Sequence, residues 1–136
     1  MNYDIIGDVR GQIDKLDALL KRLGYRERQG ARRHPDRQAA FVGDLIDRGP
    51  RQVATVDRVR RMVDAGAARC IMGNHEINAI AWVTRDSESK AMSESLRPRV
   101  CARNRAQHAA FLAEVEREAG SGGIAPLGRA AACLVE

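Results

Sequence analysis

Ala40-Phe41-Val42-Gly43-Asp44-Leu45-Ile46-Asp47-Arg48-Gly49 is the stretch that decides the fold. An apolar run of strand character ends in glycine and aspartate, and Leu45-Ile46 then leads to a second aspartate, an arginine and a glycine. The same design stands on either side of it. Asp4-Ile5-Ile6-Gly7-Asp8 runs into Val9-Arg10-Gly11, and Cys70-Ile71-Met72-Gly73-Asn74 runs into His75-Glu76. Strand ends in an open α/β sheet share one edge, and ligands bind there. The carboxylates of Asp8, Asp44 and Asp47, the amide of Asn74, the imidazole of His75 and the guanidinium of Arg48 are therefore expected in one cleft. That set suits metal ions and phosphate.

The intervening segments fit this arrangement. Residues 3–7 read as a buried strand, and Gln12 to Leu23 as a helix with Ile13, Leu16, Leu19, Leu20 and Leu23 on one face, stopped by Gly24. Arg26 to Arg37 is basic, holds Gly30 and Pro35, and reads as a loop or ragged hairpin. Residues 39–43 form the second strand. Pro50 suits the first position of a helix carrying Val53, Val56, Val59 and Val63 and closed by Gly66. Ala68 to Met72 is the third strand and Glu76 to Val83 the third helix. Strand–helix–strand units of this period imply parallel strands joined by right-handed crossovers.

Beyond residue 83 the pattern loosens. Thr84 to Arg103 reads as a loop or insert, and Asn104 to Ala119 as an amphipathic helix with His108, Phe111, Leu112, Val115 and Ala119 in phase. Gly120-Ser121-Gly122-Gly123 breaks it, and the apolar tail Ala130 to Val135 suggests one more strand. The expected organisation is a single domain, 1–136: a motif-bearing core at 1–83, a loop at 84–103, a helix at 104–119 and a tail at 120–136.

Bulk properties narrow the function. A chain of 136 residues with net charge +5 favours anionic ligands. With one Trp, two Tyr and two Phe it lacks the aromatics for a base-stacking platform, which argues against nucleic-acid binding. Cys70, Cys101 and Cys133 are widely spaced and form no C-x-x-C pair, so neither a disulfide framework nor a zinc knuckle is signalled. Cys70 is expected to be a small buried hydrophobe. No leader-like segment opens the chain and no run reaches the ~20 apolar residues of a membrane span, so the expectation is a cytoplasmic protein without membrane contact.

Each motif has a plainer reading. A lone Gly-Asp after a strand is usually a turn, and Asp47-Arg48 taken alone reads as a solvated pair. Three corners in succession carrying the right groups make coincidence the weaker explanation. His75, beside Asn74, has the chemistry to protonate a leaving alkoxide, with Asp47 to orient its ring. Gly7, Gly43 and Gly73 would let the backbone approach bound ions closely.

At these residues the chain resembles the calcineurin-like metallophosphoesterases, and among them the phosphoprotein-phosphatase type, most similar to the bacterial diadenosine-tetraphosphatase-like and serine/threonine-phosphatase-like branches. Their signatures G-D-x-H-G, G-D-x-x-D-R-G and G-N-H-E stand here as Gly7-Asp8-Val9-Arg10-Gly11, Gly43 to Gly49, and Gly73-Asn74-His75-Glu76. The resemblance covers residues 1–83. It implies an α/β fold, the N-terminal half of a metallophosphoesterase-type β-sandwich with a mostly parallel sheet and flanking helices. It implies Asp8 on a first metal ion, Asp44 bridging two ions, Asn74 on the second, His75 and Asp47 as the proton-donating pair, and Arg48 on the substrate phosphate. The activity implied is hydrolysis of phosphate monoesters or nucleoside polyphosphate anhydrides by metal-activated water, with manganese, iron or zinc as the metal. Substrates would be a phosphorylated small molecule, a nucleotide or a phosphoprotein. A basic interaction module and an inactive homologue that keeps the cleft are the alternatives.

Two departures mark this chain. The family's histidine in G-D-x-H-G is Arg10, which has no acceptor lone pair and stays protonated. At ~4 Å from a divalent ion its repulsion would be roughly 8 kcal/mol for an effective ε of about 20. Three outcomes stay open: Arg10 turns away, the first ion is weak or absent, or Arg10 pairs with phosphate. The family also draws two histidine ligands from its C-terminal half, whereas this chain has only His34, His75 and His108. His34 is expected to be solvated and His108 to be a satisfied core histidine. An incomplete sandwich would leave sheet edges open to self-association.

Overall fold

Asn2–Ile6 forms β1, where Asp4 and Ile6 alternate with Tyr3 and Ile5. The computed structural model describes residues 1–84, 95–97 and 101–120. The order is β1, α1 (Ile13–Arg22), β2 (Arg26–Arg28), β3 (Ala31–Arg33), β4 (Arg37–Phe41), α2 (Gln52–Asp64), β5 (Ala68–Cys70), α3 (Asn74–Val83) and α4 (Ala102–Gly120). β1, β4 and β5 lie in that order in one parallel sheet, with Ile6 opposite Phe41 and Phe41 opposite Cys70. The basic segment after α1 closes on itself as the antiparallel hairpin β2–β3.

This topology places the helices. The sheet grows one strand at a time in one direction, so right-handed crossovers put successive helices on the same face. That face carries Ile6, Ala39, Phe41 and Ala68, all buried, and they join Leu16 and Leu20 of α1, Val56, Val59 and Met62 of α2, and Phe111 and Val115 of α4 in one core. Among the described residues nothing covers the opposite face: Ile5 is 76 % exposed, and Tyr3, Val42 and Ile71 are exposed too. The α/β arrangement with a parallel sheet agrees with the reading of the sequence. Of the implied sandwich, one sheet and the small hairpin are present among the described residues.

Helix ends follow the glycines. After α1 the N–H of Gly24 bonds the Lys21 carbonyl (3.1 Å) and that of Tyr25 the Leu20 carbonyl (2.9 Å), a Schellman stop. Gly66 and Ala67 close α2 in the same way, on Val63 and Met62. The start of α2 differs from expectation, because Pro50 lies outside it and Arg51 precedes its first residue. Glu114 of α4 accepts the N–H groups of Gln52 (2.7 Å) and Val53 (3.0 Å), so a carboxylate from another helix caps this one.

Other boundaries also shift. β4 starts and ends two residues earlier than read, β5 is limited to residues 68–70, α3 begins at Asn74 rather than Glu76, and α4 begins at Ala102 rather than Asn104. On α1, Leu19 is exposed although it shares the leucine stripe, because Ile13, Leu16 and Leu20 fill the core-facing arc. Cys70 is only partly buried. Most of the expected loop and the tail strand at 130–135 lie outside the described residues.

Candidate active site

The three corners meet at the C-terminal edge of the sheet. Gly43 holds φ +88, and a Cβ there would sit 2.1 Å from the Gly73 nitrogen, so only glycine lets the second and third corners touch. Gly73 in turn faces Asp44, since its own Cβ would fall 2.1 Å from Asp44 Oδ1. These two glycines bring backbone to backbone and backbone to carboxylate. The first corner is tied to the second by Arg10 N–H to the Asp44 carbonyl (2.9 Å) and Gly11 N–H to the Leu45 carbonyl (2.7 Å).

Backbone strain is concentrated here. Asp8 (φ 49), Arg10 (49), Asp44 (54), Asp47 (66) and Arg48 (80) all occupy the left-handed region that side chains avoid. Such residues cost about 1–3 kcal/mol each and persist only where their surroundings over-determine them. Glu76 does much of the holding. Buried at 2 % exposure, it accepts the N–H groups of Asp44 (2.8 Å), Leu45 (2.7 Å), Ile46 (3.3 Å) and Gly73 (2.8 Å). One carboxylate therefore fixes two corners and caps α3. The Gln52 amide oxygen adds a bond from the Asp47 N–H (2.8 Å).

The polar side chains are arranged about this frame. His75 Nδ1 lies 2.7 Å from Asp47 Oδ2, and Asp47 is buried. A carboxylate at that nitrogen keeps its proton in place and leaves Nε2 as the atom that exchanges protons with a ligand. Gln107 of α4 donates to the same Asp47 oxygen (3.1 Å), and Arg97 donates to Gln107 (2.8 Å). His108, the next residue, is fully buried, with Nδ1 3.9 Å from Asp47 Oδ1 and no hydrogen bond on either ring nitrogen. Burial lowers its pKa against the opposing pull of Asp47. It is a core histidine as expected, but not a satisfied one.

Asp8, Asp44, Asn74 and His75 thus stand on adjoining corners, with Asp44 Oδ1 accepting the His75 N–H at 3.3 Å. Arg48 and Asn74 are exposed beside Asp47 and His75. Asp47 does not form the solvated pair with Arg48 that its sequence neighbour suggests. Arg10 does not turn away: its Nη2 is 2.9 Å from Asp8 Oδ2 and 3.8 Å from Asp44 Oδ2. Among the described residues no group of three or more His, Cys, Asp or Glu is placed to hold a metal ion. With a guanidinium against both carboxylates, the residues present do not fit a two-ion centre.

His34 also departs from expectation. Its Nδ1 accepts the Asp36 N–H (3.0 Å), its Nε2 is 3.2 Å from Arg37, and its ring packs near Tyr25 (centroids 5.3 Å). It is half-buried and hydrogen-bonded rather than freely solvated, and it lies at the opposite end of the sheet. The sequence reading missed Gln52, Gln107 and Glu114, and gave Glu76 no role although it stands inside a quoted motif. Glu76 three residues after Gly73 is a visible capping signal. Gln107 carries no local signal, because its partner is 60 residues away.

Comparison with known proteins identifies the family. The chain is 47% identical over 76 residues to a bis(5'-nucleosyl)-tetraphosphatase PrpE [asymmetrical] of Halalkalibacterium halodurans, covering 55% of this chain and 31% of that protein. The proteins of the same description from Bacillus velezensis (43%, 55% and 30% covered) and Bacillus subtilis (41%, 55% and 31% covered) are similar over the same length, 76 residues. The match thus spans about a third of the length of these relatives. No described helix is long and apolar enough to cross a membrane. The family model for calcineurin-like phosphoesterases matches residues 1–119, and the chain belongs to that family.

Proposed function

We propose that this chain is a phosphoesterase module that acts on phosphorylated small molecules, with nucleoside polyphosphates as the favoured class. The single observation that carries this reading is the His75–Asp47 contact of 2.7 Å, held beside Asp44 by the shared bonds of Glu76. In it, His75 protonates the departing oxygen, Asp47 orients the ring, and Arg48 binds the phosphate being released. Asp8, Asp44 and Asn74 supply the oxygens that face cationic charge. The charge of +5 favours such anionic substrates. Manganese is the divalent ion we would supply, and Cys70 and Cys101, which form no disulfide among the described residues, suit a cytoplasmic setting.

Hydrolysis of diadenosine tetraphosphate and of p-nitrophenyl phosphate, with manganese added, tests the proposal. Turnover above buffer that disappears in His75→Ala and in Asp44→Asn is the expected result. No turnover in either the native chain or Arg10→His would overturn it. A second reading, a phosphate-binding cleft without turnover, is favoured by the contact of Arg10 with Asp8. It predicts saturable phosphate binding in the absence of hydrolysis.

A further inference from the structure

We infer that the Arg10 guanidinium is a built-in cation of this site, standing between Asp8 and Asp44 in place of one divalent ion, so that the chain takes up at most one. The inference rests on reading the cleft as a phosphoesterase site, but its test does not require turnover.

Three features of the geometry converge on it. The Arg10 head is 2.9 Å from Asp8 Oδ2 and 3.8 Å from Asp44 Oδ2, so a single planar cation serves both carboxylates. Its origin is fixed, since residue 10 adopts φ 49 and its N–H bonds the Asp44 carbonyl at 2.9 Å. The side chain therefore leaves the backbone from a strained corner already bound to the main chain of Asp44, whose carboxylate it serves. Finally, Asp44 is engaged on both sides: the His75 N–H donates to Oδ1 (3.3 Å), and Arg10 forms an ion pair with Oδ2 (3.8 Å). Both oxygens of Asp44 are therefore engaged by this chain's own positive or donor groups.

The charge logic is the same as in a metal site. Asp8 and Asp44 are like charges on adjoining corners, and a positive group between them offsets their repulsion. A guanidinium supplies one fixed positive charge with directed donors and does not dissociate. A divalent ion at the same point would lose the acceptor lone pair that histidine offers and would meet a cation in its place. The arrangement trades a dissociable double charge for a permanent single one. The oxygens of Asn74 and of Asp44 on the His75 side remain for a single ion.

Titration of the full chain with manganese by isothermal calorimetry, with electron paramagnetic resonance to detect paired ions, tests the inference. The native chain should bind no more than one ion, with no exchange-coupled signal. Arg10→His should gain one site per chain, and Arg10→Gln should bind manganese at least tenfold more tightly than the native protein. Two ions on the native chain would overturn the inference. So would an Arg10→His protein of native circular dichroism whose stoichiometry is unchanged. If Arg10→His fails to fold, Arg10→Gln decides the matter, since an affinity unchanged from native counts against it. Loss of turnover with these stoichiometries intact would sink only the phosphoesterase reading.

Discussion

Asp47 lies between two histidines but bonds to only one: His75 Nδ1 is 2.7 Å from its Oδ2, while His108 Nδ1 stands 3.9 Å from its Oδ1. The first contact is a hydrogen bond and the second is not. His108 is fully buried with no hydrogen-bond partner, so it sits in the fold as the neutral ring, its pKa lowered by burial. The unfolded chain therefore binds the extra proton first as pH falls. Stability from this group is complete above the unfolded value near 6.5 and declines as pH drops through and below it. Urea denaturation between pH 5 and 8 should show that decline, and His108→Leu should flatten it. An equally steep slope in the variant would refute the assignment.

Glu76 should be the most costly single residue of the site to remove. Four backbone N–H groups converge on it, three of them within 2.8 Å. Leaving one buried donor unsatisfied costs about 1–3 kcal/mol. Glu76→Ala should lower unfolding free energy by at least ~3 kcal/mol, with Glu76→Gln falling between it and the native chain. A loss under ~1 kcal/mol for the alanine variant, measured by urea denaturation, would contradict this account.

Gly43→Ala should be poorly tolerated for a different reason. The added Cβ would meet the Gly73 nitrogen at 2.1 Å, at a φ of +88. Neither partner is a flexible side-chain end, so the two corners must separate. A lowered Tm and weakened phosphate binding are expected together. A variant of native Tm would show that the corners are not packed this tightly.

At the far end of the sheet, the Tyr25 hydroxyl donates to Asp4 Oδ2 at 3.0 Å while the ring is buried. Burial and the neighbouring carboxylate both push its pKa up, so the neutral phenol belongs to the fold. This stabilisation is complete below the unfolded value near 10.0 and falls away as pH rises above it. Tyr25→Phe should cost about 1 kcal/mol at neutral pH and should blunt the alkaline loss of stability seen by circular dichroism. An undiminished alkaline loss would be the contrary result.

The exposed face of the sheet gives a last expectation. Ile5 is 76 % exposed and Ile71 62 %. Ile5→Lys should change stability by less than ~0.5 kcal/mol while reducing anilinonaphthalene sulfonate binding and concentration-dependent association. Sedimentation velocity that is identical for both proteins would exclude this face from self-association.

By itself the sequence determined the strands, the helices and the three glycine-ended corners, because these depend on local periodicity and turn chemistry. Leu16 and Leu20 keep helical spacing, Gly24 and Gly66 stop their helices, and Gly43-Asp44 must turn wherever its strand ends. The sequence also showed that Arg10 is no metal ligand, from side-chain chemistry alone. It left open where the guanidinium goes. Only the tertiary structure decided that, because the answer depends on the Arg10–Asp44 backbone bond joining two corners distant in the chain. The same holds for Glu76 clasping residues about 30 positions away and for Gln107 and His108 reaching Asp47 from another helix. Contacts of that separation are set by how helices settle on one face of the sheet, and no local pattern of residues encodes them.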